Sequence, residues 1–298
     1  MKRQVIVAQG TVEGLAAEDQ GITVFRGIPF AQPPVGGLRW RAPQPALPWD
    51  GVLQAFDFGP TAMQPTPGAS DDFYDREWGT DPAVPMSEDC LYLNIWTPAL
   101  RGYGADSMVI SEKLPVMVWI YGGAYQCGGT FEKEFDGTHL AANGVVVVSV
   151  AYRLNAFGFM THPLLHEEAV ERGDGEPYAN FGFLDQRAGI QWVKENIAKF
   201  GGDPENITVF RPIGRCRQRL GPDLFADESW PVSESHHAIR RRLRVFQCAA
   251  GHAGACAGQR NPSVRSIGCL HAGAGPCNPG PNGIGSRRVP ACSTGQRT

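Results

Sequence analysis

Apolar residues in the first part of the chain fall in short dense runs separated by stretches rich in glycine and proline. Residues 5–7 and 22–25 are brief β-prone runs around a glycine-containing turn, which predicts an N-terminal hairpin. Residues 27–60 hold much Pro and Gly and few periodic runs, so an extended wrapping segment is expected there, and residues 65–87 read as a polar surface loop. Residues 91–96 alternate, with Leu91, Leu93 and Ile95 on one face and Tyr92, Asn94 and Trp96 on the other. Residues 116–121 and 145–150 are almost continuously apolar, as in strands covered on both faces of a mostly parallel sheet. Residues 184–200 predict a helix: Ile190, Val193, Ile197 and Phe200 recur at helical spacing, and Lys194, Glu195 and Lys199 take the other faces. Gly201-Gly202-Asp203-Pro204 stops it, and 207–210 is a further short β run. Strands alternating with helices give the α/β class. Beyond Phe210 the periodicity fails. A short basic helix is expected over 238–246, and from Ala249 onward Gly, Pro, Ala, Cys and Ser dominate, a composition of loop or disorder.

Composition sharpens that break. The 298 residues are 42% hydrophobic with a net charge of −3, enough apolar material for a core and no overall basic field for nucleic acid. No apolar run approaches the roughly 18–20 residues of a membrane span. Met1-Lys2-Arg3-Gln4 leads into only four apolar residues, too few for a secretory leader, so a cytoplasmic address without membrane association is expected. The averages conceal two unlike parts. Residues 211–298 carry thirteen Arg, no Lys and four acids, a charge of +9, and six of the eight Cys. Residues 1–210 carry fourteen basic and twenty-six acidic residues, a charge of −12.

Several long segments of the first part resemble the type-B carboxylesterase family, which includes para-nitrobenzyl esterases and cholinesterases. They are Phe25-Arg-Gly-Ile-Pro-Phe-Ala-Gln-Pro-Pro-Val-Gly36, Leu38-Arg39 with Trp49-Asp-Gly-Val52, and Ser87-Glu-Asp-Cys-Leu-Tyr-Leu-Asn-Ile-Trp-Thr-Pro98. Val118-Trp-Ile-Tyr-Gly-Gly-Ala-Tyr125, Ala151-Tyr-Arg153 and Asn180-Phe-Gly-Phe-Leu-Asp-Gln186 follow in family order. The resemblance implies an α/β-hydrolase fold and hydrolysis of a small-molecule ester by a Ser–His–Glu triad, with no cofactor, no metal and no particular protein partner. Acyl transfer needs backbone N–H groups aimed at the developing oxyanion. On composition alone Gly122-Gly123 is a simple turn; by resemblance, Gly123 and Ala124 donate those N–H groups. The resemblance also pairs Arg39 with Glu88 and Arg153 with Asp185 as buried structural ion pairs, neither acid being catalytic. Asp185 is further expected to precede the helix, where it could cap it. The family often has a Cys at the position of Ala62, bridged to the one matching Cys90. Ala62 leaves Cys90 unpaired, as suits a reducing compartment, and Cys127 reads as a packed thiol rather than a nucleophile.

The family pattern calls for Gly-x-Ser-x-Gly after Phe210, a strand-to-helix turn that lifts the nucleophile into the site. The chain reads Arg211-Pro-Ile-Gly-Arg-Cys-Arg-Gln-Arg-Leu220 instead, without a serine. Permitted codons for this stretch, read one base on, spell Gly-Arg-Ser-Ala-Gly-Ala-Gly-Ser-Val-Trp. An extra base near the Phe210 codon is therefore expected. Residues 1–210 then form the N-terminal part of an incomplete esterase domain, and 211–298 an unrelated, out-of-frame, disordered basic tail. The family's nucleophile, acid and His are missing, so the expected chain is inactive and poorly soluble. A non-catalytic cholinesterase-like binding domain is the alternative. The tail's other signals are weak. None of Cys216, Cys248, Cys256, Cys269, Cys277 and Cys292 has zinc-ligand spacing from another, His236-His237 lacks an organised acid, and the arginines of 240–244 have only charge behind them.

Overall fold

The computed structural model describes residues 1–17, 21–66, 84–173 and 175–212, together with the backbone of Arg244–Cys248. These all belong to the unit Met1–His252. Eleven strands are present among them. In chain order they are β1 (Lys2–Val7), β2 (Gly10–Ala16), β3 (Thr23–Pro29), β4 (Val52–Gln54), β5 (Tyr92–Thr97), β6 (Leu100–Arg101), β7 (Met108–Val109), β8 (Leu114–Ile120), β9 (Val146–Val150), β10 (Gly202–Pro212) and β11 (Arg244–Cys248). β6 and β7 form a small ladder of their own. The rest make one mixed sheet in the order β1-β2-β3-β5-β9-β8-β10-β11, with β4 beside β2. Pairing is antiparallel from β1 to β9 and parallel from β9 through β8 and β10 to β11.

The N-terminal hairpin is therefore a three-stranded meander. β2 joins β1 to β3, and its Glu13 takes an ion pair from Lys2 at 3.0 Å and a hydrogen bond from Gln4 at 3.0 Å. At the other edge, 244–248 is a strand rather than part of a basic helix, with Val209 opposite Val245. The backbone N–H and C=O groups of β10 offer a ladder that outweighs the local helical pattern. Residues 238–243, most of 65–87 and the rest of the tail, with the disorder expected of it, lie outside the described residues.

The apolar runs are buried as their period dictates. Leu91, Leu93, Ile95, Val116, Val118, Val146, Val148 and Val150 enter one large core. Trp96 and Val147 point to the opposite face and pack with Ile22, Val24 and Ala141. Four helices are present among the described residues, α1 (Thr138–Ala141), α2 (Asn155–Phe159), α3 (Pro163–Arg172) and α4 (Phe181–Asn196), the last continued as a 3-10 turn through Phe200 and packed on the sheet. The helix expected from residue 184 starts at Phe181. Its buried stripe is Phe181, Gly182, Asp185, Gln186, Gly189, Trp192, Val193 and Asn196, which leaves Ile190 at the margin. Gly189 carries the closest approach: a Cβ there would stand 2.4 Å from Cγ1 of Val150 on β9. Gly201, at φ +83°, ends the turn.

Candidate active site

β8 delivers its C-terminal end to a loop that begins at Tyr121. That residue is fixed by Tyr152, which follows β9. Their rings stack at 4.5 Å, and each hydroxyl donates to the other's carbonyl at 3.0 Å. Burial pushes both phenols well above their ordinary range, so they act as neutral ties between two strand ends.

The next residues run left-handed: φ is +103° at Gly123, +55° at Ala124 and +63° at Tyr125. A Cβ at Gly123 would lie 2.0 Å from the Cys127 carbonyl oxygen, so only glycine fits. The Gly123 carbonyl accepts from the N–H groups of Gln126 at 3.0 Å and Cys127 at 3.2 Å. Among the described residues no acceptor faces the N–H of Gly123 or of Ala124. Backbone donors left open at a strand end are the raw material of an oxyanion site.

Distant segments hold the loop. Gln64 bonds both the N–H of Gly128 at 2.8 Å and its carbonyl at 2.9 Å. The Asn155 side chain donates to the carbonyls of Gln126 at 2.8 Å and Met63 at 3.1 Å, and its own N–H donates to Tyr125. The Tyr125 ring packs on Phe159 and Phe183, at 4.7 and 5.4 Å. Glu132, buried behind the loop, accepts the Gly129 N–H at 2.8 Å through Oε1. Burial pushes its carboxyl up to about 7, against the pull of that N–H. Gln64, Asn155 and Glu132 were not apparent in the sequence, because each acts on a backbone group and no motif marks such contacts; Tyr125 closes a family segment, which gave no sign of its ring contacts. A glutamate three residues after Gly129 is the single local hint.

β10 runs parallel to β8 with Phe210 opposite Trp119, their rings 4.9 Å apart. Phe210 thus stands at the end of the sheet where the Gly123 loop begins, and β10 continues through Arg211 and Pro212, opposite Gln247 and Cys248 of β11. Arg211 and Pro212, the first two places of the expected nucleophile turn, are therefore still strand, and the remainder of that turn lies outside the described residues.

The two ion pairs differ. Arg153 and Asp185 are almost wholly buried and joined by two bonds of 2.8 and 2.7 Å, while the Arg153 N–H also donates to Asp185. The guanidinium further donates to the Arg41 carbonyl and lies over Phe181. Burial raises the Asp185 carboxyl and Arg153 opposes it. Arg39 and Glu88 pair through two bonds, but their side chains are 39% and 22% exposed, so this is a surface clamp rather than the buried pair expected. Nor does Asp185 cap α4: it sits in the second turn, and Asn180 precedes the helix. Cys90 is buried beside Ala62 and Arg153, its thiol pushed up by burial. Cys127 is half-buried, with Sγ 3.6 Å from the Gly123 carbonyl. Among the described residues no group of three or more His, Cys, Asp or Glu could hold a metal ion.

The model of the carboxylesterase family matches residues 1–211. The chain belongs to the carboxylesterase family. Among curated relatives, it is 41% identical over 201 residues to the fumonisin B1 esterase of Sphingopyxis macrogoltabida, covering 67% of this chain and 33% of that protein. It is also 41% identical over 212 residues to the para-nitrobenzyl esterase of Bacillus subtilis (strain 168), covering 70% and 38%. Among solved structures, a thermophilic para-nitrobenzyl esterase superposes with a TM-score of 0.59 at 39% identity over 71% of this chain and 39% of that one. The shared architecture is the α/β-hydrolase fold. The chain spans about a third of the length of the curated relatives it matches. Among its described residues no helix is long and apolar enough to cross a membrane.

Proposed function

We propose that residues 1–210 are the oxyanion-binding part of a carboxylic-ester hydrolase acting on small-molecule esters, and that the 298-residue chain does not itself hydrolyse them. The reading is carried by the two open N–H groups of Gly123 and Ala124, at a strand end where a Cβ on residue 123 has no room. In the complete reaction a serine oxygen attacks the ester carbonyl carbon, and the carbonyl π electrons move to oxygen, which these donors hold. A histidine takes the serine proton and gives it to the departing alcohol, and water then releases the acid by the same route. The chain contains no Gly-x-Ser-x-Gly at any position. Loss of a serine nucleophile lowers kcat by about 10⁶ in a well-studied serine protease.

Residues 211–298 are, in this reading, an out-of-frame tail that replaces the nucleophile turn. The purified chain is expected to leave a short-chain nitrophenyl ester unhydrolysed and to form no organophosphate adduct detectable by mass spectrometry. Turnover blocked by that inhibitor would overturn the inactivity. Genomic sequence across codons 205–222 tests the frame: esterase sequence one base away supports it, and a neighbouring frame without any sinks it. In a product with the frame restored, Gly123→Ala should lower kcat by roughly 10²–10³.

A further inference from the structure

Among the described residues, Glu132 is a buried carboxyl standing directly behind the loop. It lies in the turn that carries Phe131 and Lys133, 2% exposed. Its Oε1 accepts the Gly129 N–H at 2.8 Å, while Oε2 is buried and has no hydrogen-bond partner among the described residues. A carboxylate with one donor and a bare second oxygen is poorly solvated, and its protonation alters the strength of the single bond it makes. That bond is tied to the oxyanion segment through a short chain of contacts. Gly129 adjoins Gly128, whose N–H and carbonyl are both bound by Gln64. Gly128 in turn packs directly on Gly122 and the Tyr121 ring: a Cβ there would meet the Gly122 carbonyl oxygen at 2.7 Å and Tyr121 Cδ2 at 2.9 Å. The Gly123 carbonyl closes the circuit by accepting from Cys127.

We infer that Glu132 is a positioning residue for the oxyanion segment, a proton-operated latch that sets where the Gly123 and Ala124 N–H groups point. The inference rests on the reading of those two groups as donors. The ionisable groups facing Glu132 are Tyr121 at the end of β8 and Tyr152 after β9. Around the Tyr152 ring stand Arg211 at the end of β10 and Tyr125 and Cys127 on the loop. Both tyrosines stay protonated through neutrality, so a titration with its midpoint there is assigned to Glu132, and the Glu132 and Cys127 variants check that assignment.

The test follows the amide resonances of Gly129, Gly123 and Ala124 in the full 298-residue chain by NMR from pH 5 to 9. All three should move together with one midpoint near pH 7, and Glu132→Gln, which keeps an oxygen acceptor for Gly129, should abolish the movement while Cys127→Ser leaves it in place. Movement of Gly129 alone overturns the latch, since a merely local bond would do that. Movement that survives Glu132→Gln, or no movement in the unsubstituted chain, overturns it as well. The unsubstituted chain suffices should the Gln variant fail to fold. No substrate is involved, so failure of the donor reading appears separately, as an unchanged kcat for Gly123→Ala in the restored-frame enzyme.

Discussion

Asp185 and Glu132 are both buried carboxyls beside the same sheet, and they differ in company. Asp185 has Arg153 on both oxygens; Glu132 has one backbone N–H. Removing one member of a buried ion pair leaves the other uncompensated, so Asp185→Ala should cost about 3–5 kcal/mol, read as a lower urea midpoint. Arg39→Ala, by contrast, opens a solvent-screened clamp and should leave that midpoint within error. An equal loss from both would mean that exposure does not rank these pairs. Glu132 has no such partner to offset its burial. Its folded carboxyl keeps its proton to about pH 7, whereas the unfolded chain releases it near the ordinary value of 4.5. The native state therefore binds more protons in that window, and stability falls as pH rises from about 4.5 to 7, by something on the order of 3 kcal/mol in all. Urea midpoints of Glu132→Gln and the unsubstituted chain should nearly coincide at about pH 4 and separate by about pH 8, with the Gln variant the more stable.

Among the elements, Gly189 of α4 and β11 at the sheet edge make the sharpest expectations. Val150 occupies the space a side chain at 189 would need, so Gly189→Val should lower thermal stability by about 1–3 kcal/mol through overpacking. An unchanged melting temperature would show that the helix can ride outward at no cost. Deleting 244–248 would leave the outer edge of β10 unpaired, and light scattering should then rise with time at neutral pH. The sequence disclosed the central strands because Val145–Val150 and Val116–Ile120 have no polar alternative that would suit an exposed surface. It concealed β2, whose Gly10, Gly14 and Glu13 look like turn residues until Lys2 and Gln4 are brought alongside. α4 begins three residues before the expected start, and Gly182 in that extra turn lets the helix approach Phe159 and the Arg153 carbonyl. In the site, Gly123 and Ala124 were legible through a family motif. Gln64 and Asn155 were not, since the backbone atoms they bind stand up to 92 residues away.

At the scale of the molecule, α3 has no buried residue, and Leu164 and Val170 on it are 63% and 65% exposed, as is Leu47 at 63%. Exposed apolar surface of this kind favours self-association. Sedimentation velocity should show species that grow with protein concentration; a monomer across a wide range would contradict this. The same fold that leaves those side chains uncovered holds its loop with Gln64, Asn155, Tyr125 and Glu132. What they hold is a stretch of three residues, Gly123 to Tyr125, turned in the sense natural to mirror-image amino acids. Each L-residue bearing a Cβ in that sense costs about 1–2 kcal/mol. A D-alanine at position 124, introduced by semisynthesis, would meet no such cost, so for three residues this protein follows a backbone of the opposite chirality to the one it is made of.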